Sequence, residues 1–406
     1  MPTPAQLARM AIAVVAVALI PNVAAGAGRD HGPRDPQLTG RAVLPALTVA
    51  PGPPSGALAT DANGVDFPIE GGQIVEGFSA IVEGDQPGQF LAMTDNGFGA
   101  KATSGDFLIR AYTVEPDFET AGGGSGDVLV RDWIQFRDPY GVIGFPIVNE
   151  LAIGRHLTGY DIDPESMQRD RNGDLWIGDE FGPWILHFNA DGVLLEAPIP
   201  LPGGLMSPNN PGLVGAATQP NSRGIEGMGI TGGRYLYPIL EGATVADATV
   251  DPSRRLVFEY DTKRGEYTGR QWDYRVDPST AFVSDVAPLS RHELVVVERD
   301  GVNPGVQRRV YVVDLRQVGA DGSLVKRLVL DLAAIPDPDL ISLPLVTGTE
   351  IGLGDPFSVV CESAEAIRVL DHDEVLVGCD NNFPNTGRNP GLPDDSELVT
   401  VRVPAL

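Results

Sequence analysis

Five times along this chain an acidic or hydroxyl residue leads a short apolar run, a polar turn follows, and a second apolar run ends on another acidic residue. The units span Ser79 to Asp95, Glu165 to Asp179 and Glu180, Glu226 to Glu241, Asp285 to Glu298, and Glu365 to Asp380. Each pattern is that of a two-stranded hairpin, whose leading and trailing residues lie at one end because their midpoint falls at the turn. Glu165 and Glu180 form the clearest pair, centred between Asn172 and Gly173. Radial repetition of such hairpins gathers carboxylates at one mouth of a closed ring. Their mutual repulsion there calls for a cation or a basic side chain.

Helical periodicity is absent after the first twenty residues, and 49 Gly and 35 Pro punctuate the chain, so turns and strands dominate. Units two, three and four begin about sixty residues apart, enough for a four-stranded blade with loops. The expectation is an all-β protein, a β-propeller of about six blades, with five or seven as alternatives and a cryptic blade or long insertions in the wider intervals. Two insertions, Asn149 to Tyr160 and Pro336 to Pro356, are candidates to shape a ligand cavity.

Arg9, the apolar run Met10 to Ile20 and the small residues Val23 to Ala27 read as a signal peptide over residues 1–27, cleaved after Ala25 or Ala27. Residues 28–60, rich in Pro, Gly and Ala, read as a linker or loosely packed N-terminal arm, and residues 61–406 as the propeller domain. No later apolar segment approaches the length of a membrane-spanning helix. The protein is thus expected to be secreted or periplasmic. Export permits a disulfide, and Cys361 and Cys379 bracket the last hairpin; they either pair or act as two small buried apolar residues.

The formal net charge of -26 repels a polyphosphate backbone and argues against a nucleic-acid partner. No G-x-S-x-G, H-E-x-x-H or P-loop pattern occurs. Gly227, Gly229 and Gly232 match G-x-G-x-x-G but lie inside a hairpin rather than opening a helix. Asp170 to Asp174 reads as a tight turn, and Trp176 and Trp184 as blade core.

The segments Gly77-Phe78-Ser79-Ala80-Ile81, Asp163-Pro164-Glu165, Asp179-Glu180-Phe181-Gly182-Pro183, Gly224-Ile225-Glu226-Gly227-Met228, Ser284-Asp285, Val297-Glu298-Arg299 and Asp380-Asn381-Asn382-Phe383 occur in the order seen in a known family. Through them the chain resembles the exported phytase-like proteins, described by an "esterase-like activity of phytase". The resemblance implies a β-propeller and the hydrolysis of esters or phosphoesters. The chain departs from the family pattern at Glu365-Ala366-Ile367, where Gly follows the glutamate elsewhere.

Carboxylates with amide oxygens from Asn96, Asn381 and Asn382 make a hard-oxygen donor set, suited to Ca²⁺ rather than Zn²⁺. Expected metal ligands are Asp95, Asp179, Glu180, Glu241, Glu298, Glu365, Asp380 and Asn381; expected catalytic residues are Glu165, Glu226, Asp285, Arg223 and Arg299. The two arginines are candidates to clamp phosphate. The leading expectation is a Ca²⁺-dependent hydrolase of phosphomonoesters or related small esters, acting as a monomer without membrane span. The alternatives are a non-catalytic calcium- or ligand-binding propeller and a lactonase-like propeller.

Overall fold

The structure is a computed structural model that describes residues 35–302, 304–344 and 346–406; the expected signal peptide lies outside them. Five four-stranded antiparallel units are arranged as blades. Blade one comprises Ala80–Glu83, Phe90–Met93, Arg110–Asp117 and Asp127–Gln135. Blade two comprises Pro164–Arg169, Leu175–Asp179, Trp184–Phe188 and the short Ile199–Pro200. Blade three holds Ile225–Thr231, Tyr235–Leu240, Arg254–Asp261 and Glu266–Arg275. Blade four holds Phe282–Pro288, Glu293–Arg299, Arg308–Val318 and Leu324–Asp331. Blade five is built from Ser363–Asp371, Glu374–Asp380 and Ser396–Arg402, completed by Gln37–Leu44 from the other end of the chain.

The first strands of the blades pack against one another in cyclic order, the fifth against the first, which closes the ring. The count is therefore five, one of the two alternatives to six. Among the described residues the wide intervals hold no further blade. They contain the outer strands of blades one and four, followed by the connections 136–163 and 332–362.

Both faces of each sheet are buried, and the apolar side chains sort into five clusters, one per interface between neighbouring blades. Met167, Leu175 and Ile177 face blade one, whereas Trp176 and Ile185 face blade three, as the two-residue alternation of a strand requires. Trp176 and Trp184 are buried in these clusters, in line with their reading as core. The turn at Asp170 is closed by its own side chain, which accepts the N–H groups of Asn172 and Asp174 at 2.8 and 3.1 Å.

Residues 37–44 correct the expectation of a loose arm over 28–60. Gln37–Leu44 runs antiparallel to Ser396–Arg402 with Gln37 opposite Arg402 and Leu44 opposite Ser396. Leu38, Ala42 and Leu44 are buried, so alternate residues insert into the cores flanking blade five. The surrounding Pro, Gly and Ala hid this alternation in the sequence. Cys361 and Cys379 form a disulfide with a Cα separation of 6.0 Å, tying the approach to blade five to its second strand.

Leu44→Ala is expected to lower the unfolding free energy by ~2–4 kcal/mol, because it empties a fully buried site in the closing strand. Reduction of the disulfide, which closes a loop of 18 residues, should cost about 3 kcal/mol. Urea denaturation of variant and reduced protein measures both; an unchanged midpoint for Leu44→Ala would show that the terminal strand does not contribute to the ring.

Candidate functional site

The register of the hairpins decides which side chains reach the axis. In blade two Pro164 pairs with Asp179 and Ser166 with Gly178, so Glu165 is the extra residue of a β-bulge. The same bulge puts Glu226 between Ile225 and Gly227, Ser284 between Val283 and Asp285, and Glu365 between Ala364 and Ala366. In blade one Ala80 pairs with Met93, which makes Ser79 the corresponding residue. Bulges re-aim a side chain and end regular pairing, and here they recur at one level of the ring. On the second strands, one residue past the pair that precedes the bulge, stand Glu180, Glu241, Arg299 and Asp380, and Asp95, two residues past Met93, is their counterpart in blade one. The ten equivalent positions thus carry seven carboxylates, two serines and one arginine, and blade four supplies Ser284 and Arg299.

A cavity of about 320 Å³ opens at this level. It is lined by all seven carboxylates, by Asp163 and Glu362, and by Arg223, Arg299, Phe282, Asn96 and Asn382. Two groups of three carboxylates each bring one oxygen within 4.8 Å of the others: Asp95, Asp163 and Glu165, and Glu180, Glu226 and Glu241. Arg299 stands in the second group. One of its terminal nitrogens donates to Glu241 at 2.9 Å, Glu365 at 3.1 Å and Glu226 at 3.4 Å. Arg223 donates to the other oxygen of Glu241 at 2.6 Å and lies over the Phe282 ring, 4.1 Å from its centroid.

Two glycines let successive blades meet at the mouth. A side chain at Gly224 would stand 2.5 Å from the Cα of Glu180, and its N–H donates to the Glu180 carboxylate at 2.9 Å. A side chain at Gly77 would meet Asp380 at 2.1 Å. In the fifth blade, Ala366 fits in place of the family's glycine because Gly378 faces it.

Four sequence candidates lie off the mouth, each shifted by one residue from the equivalent position. Asp285 follows Ser284, and its carboxylate accepts the N–H groups of Val286 at 2.6 Å and Ile367 at 2.8 Å, tying blade four to blade five. Asp179 precedes Glu180 and accepts from Asp163 and Gly182 at 2.8 and 2.7 Å. Glu298 precedes Arg299 and is held by Tyr274, Lys326 and the N–H of Asp277. Asn381 follows Asp380, accepts from the N–H of Gly77 at 2.8 Å and donates to the Asp394 carbonyl at 2.6 Å. A hairpin slip of one residue moves a side chain to the other face, and a bulge produces that slip. Among the described residues neither insertion lines the mouth; residues Ile341–Pro344 and Val346 of the second wall a separate cavity of about 410 Å³.

Three acids were missed: Asp163, Glu76 and Glu362, the last of which precedes the fifth repeat and lines the cavity. Asp163 belongs to a quoted segment but precedes the repeat; its Oδ1 accepts from the Asn96 amide at 2.8 Å. Glu76 is 1% exposed, and neither carboxylate oxygen has a hydrogen-bond partner. Its place just before Gly77 was the available signal. Lys101, over the rings of Tyr160 and Phe181, senses Asp179, Asp161 and Asp163 but forms no ion pair with them.

Burial sets the protonation of this ring. It pushes Glu76, Asp163, Glu165, Glu180, Glu226 and Asp380 well above the usual carboxylate range, with neighbouring acids adding to the shift. Asp95 and Asp179 are each pushed up to about 7, again chiefly by burial. Burial alone would lower Arg299, but Glu365, Glu241 and Glu226 hold it charged.

A raised carboxyl favours the folded state below its unfolded value and loses that contribution as pH climbs through the folded value. Asp95 and Asp179 therefore withdraw stability between about pH 4 and pH 7. Metal-free protein in chelator should melt at a lower temperature at pH 8 than at pH 5, as calorimetric scans would show. A melting temperature that rises over that interval would contradict the burial of these acids.

The profile of a protein family described as phytase-like, "esterase-like activity of phytase", matches residues 73–383. No curated protein matches the chain. Among solved structures, a luciferin-regenerating enzyme is 12% identical over 81% of this chain and 78% of its own, with a TM-score of 0.37. The PQQ-bound aldose sugar dehydrogenase of Streptomyces coelicolor is 12% identical over 90% and 100%, with a TM-score of 0.33. A streptogramin B lyase is 11% identical over 89% and 97%, also at 0.33. These likenesses are distant, and what those proteins act on stays with them.

Proposed function

This chain belongs to the phytase-like family, and we propose that it is an exported hydrolase that cleaves phosphomonoesters or related small esters at its acidic mouth with the help of Ca²⁺. The observation that carries this reading is the convergence of seven carboxylates from four blades, with Arg223 and Arg299, on one cavity of about 320 Å³. So many acids in one desolvated place require protons, basic groups or a metal ion.

The residues fit calcium. Asp95, Asp163 and Glu165 present hard oxygens within 4.8 Å of one another, and among the described residues neither histidine nor cysteine lines the cavity. Glu165 is 8% exposed, and among the described residues no basic side chain or N–H group donates to it. A bound Ca²⁺ there would draw the oxygens of the substrate's ester group and offset charge developing on them.

The chain's own groups supply the rest. Arg223 is anchored through one nitrogen to Glu241 and braced on Phe282, which leaves its other nitrogens to grip a substrate anion. Arg299 is engaged with three carboxylates and orders them. Glu226, raised by burial and by Glu241 and Glu365, takes the proton of the attacking water in its carboxylate form, which the raised pKa makes more basic than an ordinary carboxylate. Asp285, committed to two backbone N–H groups, has no part in the chemistry.

Export agrees with the disulfide and with the absence, among the described residues, of a helix long and apolar enough to cross a membrane. Hydrolysis of an aryl phosphate and an aryl ester is expected to vanish in chelator and return with Ca²⁺. Glu226→Gln should lower kcat by about a hundredfold or more while the melting temperature stays near that of the parent. Calcium that raises the melting temperature without turnover of either substrate would instead make this a binding propeller, and lactone opening without phosphate release would make it lactonase-like.

A further inference from the structure

The fourth blade breaks the acidic pattern of the ring at both of its equivalent positions, with Ser284 in place of an inner glutamate and Arg299 in place of an outer acid. The guanidinium group of Arg299 lies where blades three and five aim their carboxylates, with one nitrogen 2.9 Å from Glu241, 3.1 Å from Glu365 and 3.4 Å from Glu226. Three oxygens at such distances around one positive nitrogen imitate the contacts a metal ion would make with the same groups at shorter range. The arginine side chain is 13% exposed and those of its three partners 2–5%. In so dry a place the charge is not exchangeable for water.

The two carboxylate groups of the mouth therefore differ. In the second group Glu226 and Glu241 already have cationic partners, Arg299 on both and Arg223 on Glu241, while Glu180 accepts the N–H of Gly224. Asp95, Asp163 and Glu165 have no ion pair among the described residues; Asp163 is met by the neutral amide of Asn96 and shares a carboxyl–carboxyl hydrogen bond with Glu165. Resting on the calcium reading above, we propose that Arg299 is a built-in cation that fills one of two potential metal positions, so that the mouth takes a single Ca²⁺, on Asp95, Asp163 and Glu165. Arg299 is thus a positioning residue that sets the number and place of the ions.

Calorimetric titration of the chelator-stripped mature protein with CaCl₂ tests this. The parent should bind one equivalent, Arg299→Gln two, and Arg299→Lys one, because the lysine amine restores a positive charge. Asp163→Asn should weaken the single site by about tenfold or more. Glu241→Gln, which alters only the group held by arginine, should leave one equivalent and an affinity within about threefold. If Arg299→Gln does not fold in chelator, its folding should become calcium-dependent by circular dichroism, and the Asp163 and Glu241 variants still decide the ion's place. Two equivalents in the parent, one in a folded Arg299→Gln protein, or a tenfold loss in Glu241→Gln would overturn the assignment of Arg299 while leaving a calcium hydrolase intact. No calcium binding by the parent would remove both.

Discussion

Ring closure forces the first strands of five blades against one another, and with them a set of carboxylates that water can barely reach. Each strand alone would keep its acid at a solvated end. Together they desolvate one another's charges, at a cost of several kcal/mol per uncompensated ion. The apolar interfaces between blades, one cluster for each of the five junctions, supply the free energy that holds these acids in place. The site is therefore a strained electrostatic arrangement maintained by hydrophobic packing elsewhere, which is how functional sites commonly persist.

The molecule divides that electrostatic cost unevenly. Around blades three, four and five, Arg299 and Arg223 neutralise acids with fixed charge. Around blades one and two no arginine or lysine forms an ion pair with Asp95, Asp163 or Glu165 among the described residues, and burial leaves these carboxyls poised to hold a proton or yield it to a cation. The mouth is thus fixed in charge on one side and responsive on the other. Arg223 and its Phe282 support lie beside the arginine-held acids.

Much of this was legible in the sequence because the repeat is written in polar residues flanked by strand-length apolar runs. The five hairpins, the all-β class and the convergence of acids followed from spacing alone. What spacing could not provide was register to a single residue. Asp285, Asp179, Glu298 and Asn381 sit one position from residues that do reach the mouth, and the bulge that displaces them leaves no mark in composition. The blade number was off by one from the leading estimate because long connections after blades one and four resemble missing repeats in length. Asp163 and Glu76 escaped because they precede the repeated unit, where only the folded ring reveals what lies beside them.

The last blade draws strands from both extremities of the polypeptide, with Gln37–Leu44 zipped along Ser396–Arg402. Glu365 and Asp380 belong to that blade. During synthesis the first-made strand has no mate until nearly the whole chain has emerged, so four blades can assemble while the circle stays open. Any product cut short before the final strand would lack a finished mouth and expose apolar faces of its outermost sheets, marking it for proteolysis rather than leaving a half-built ring.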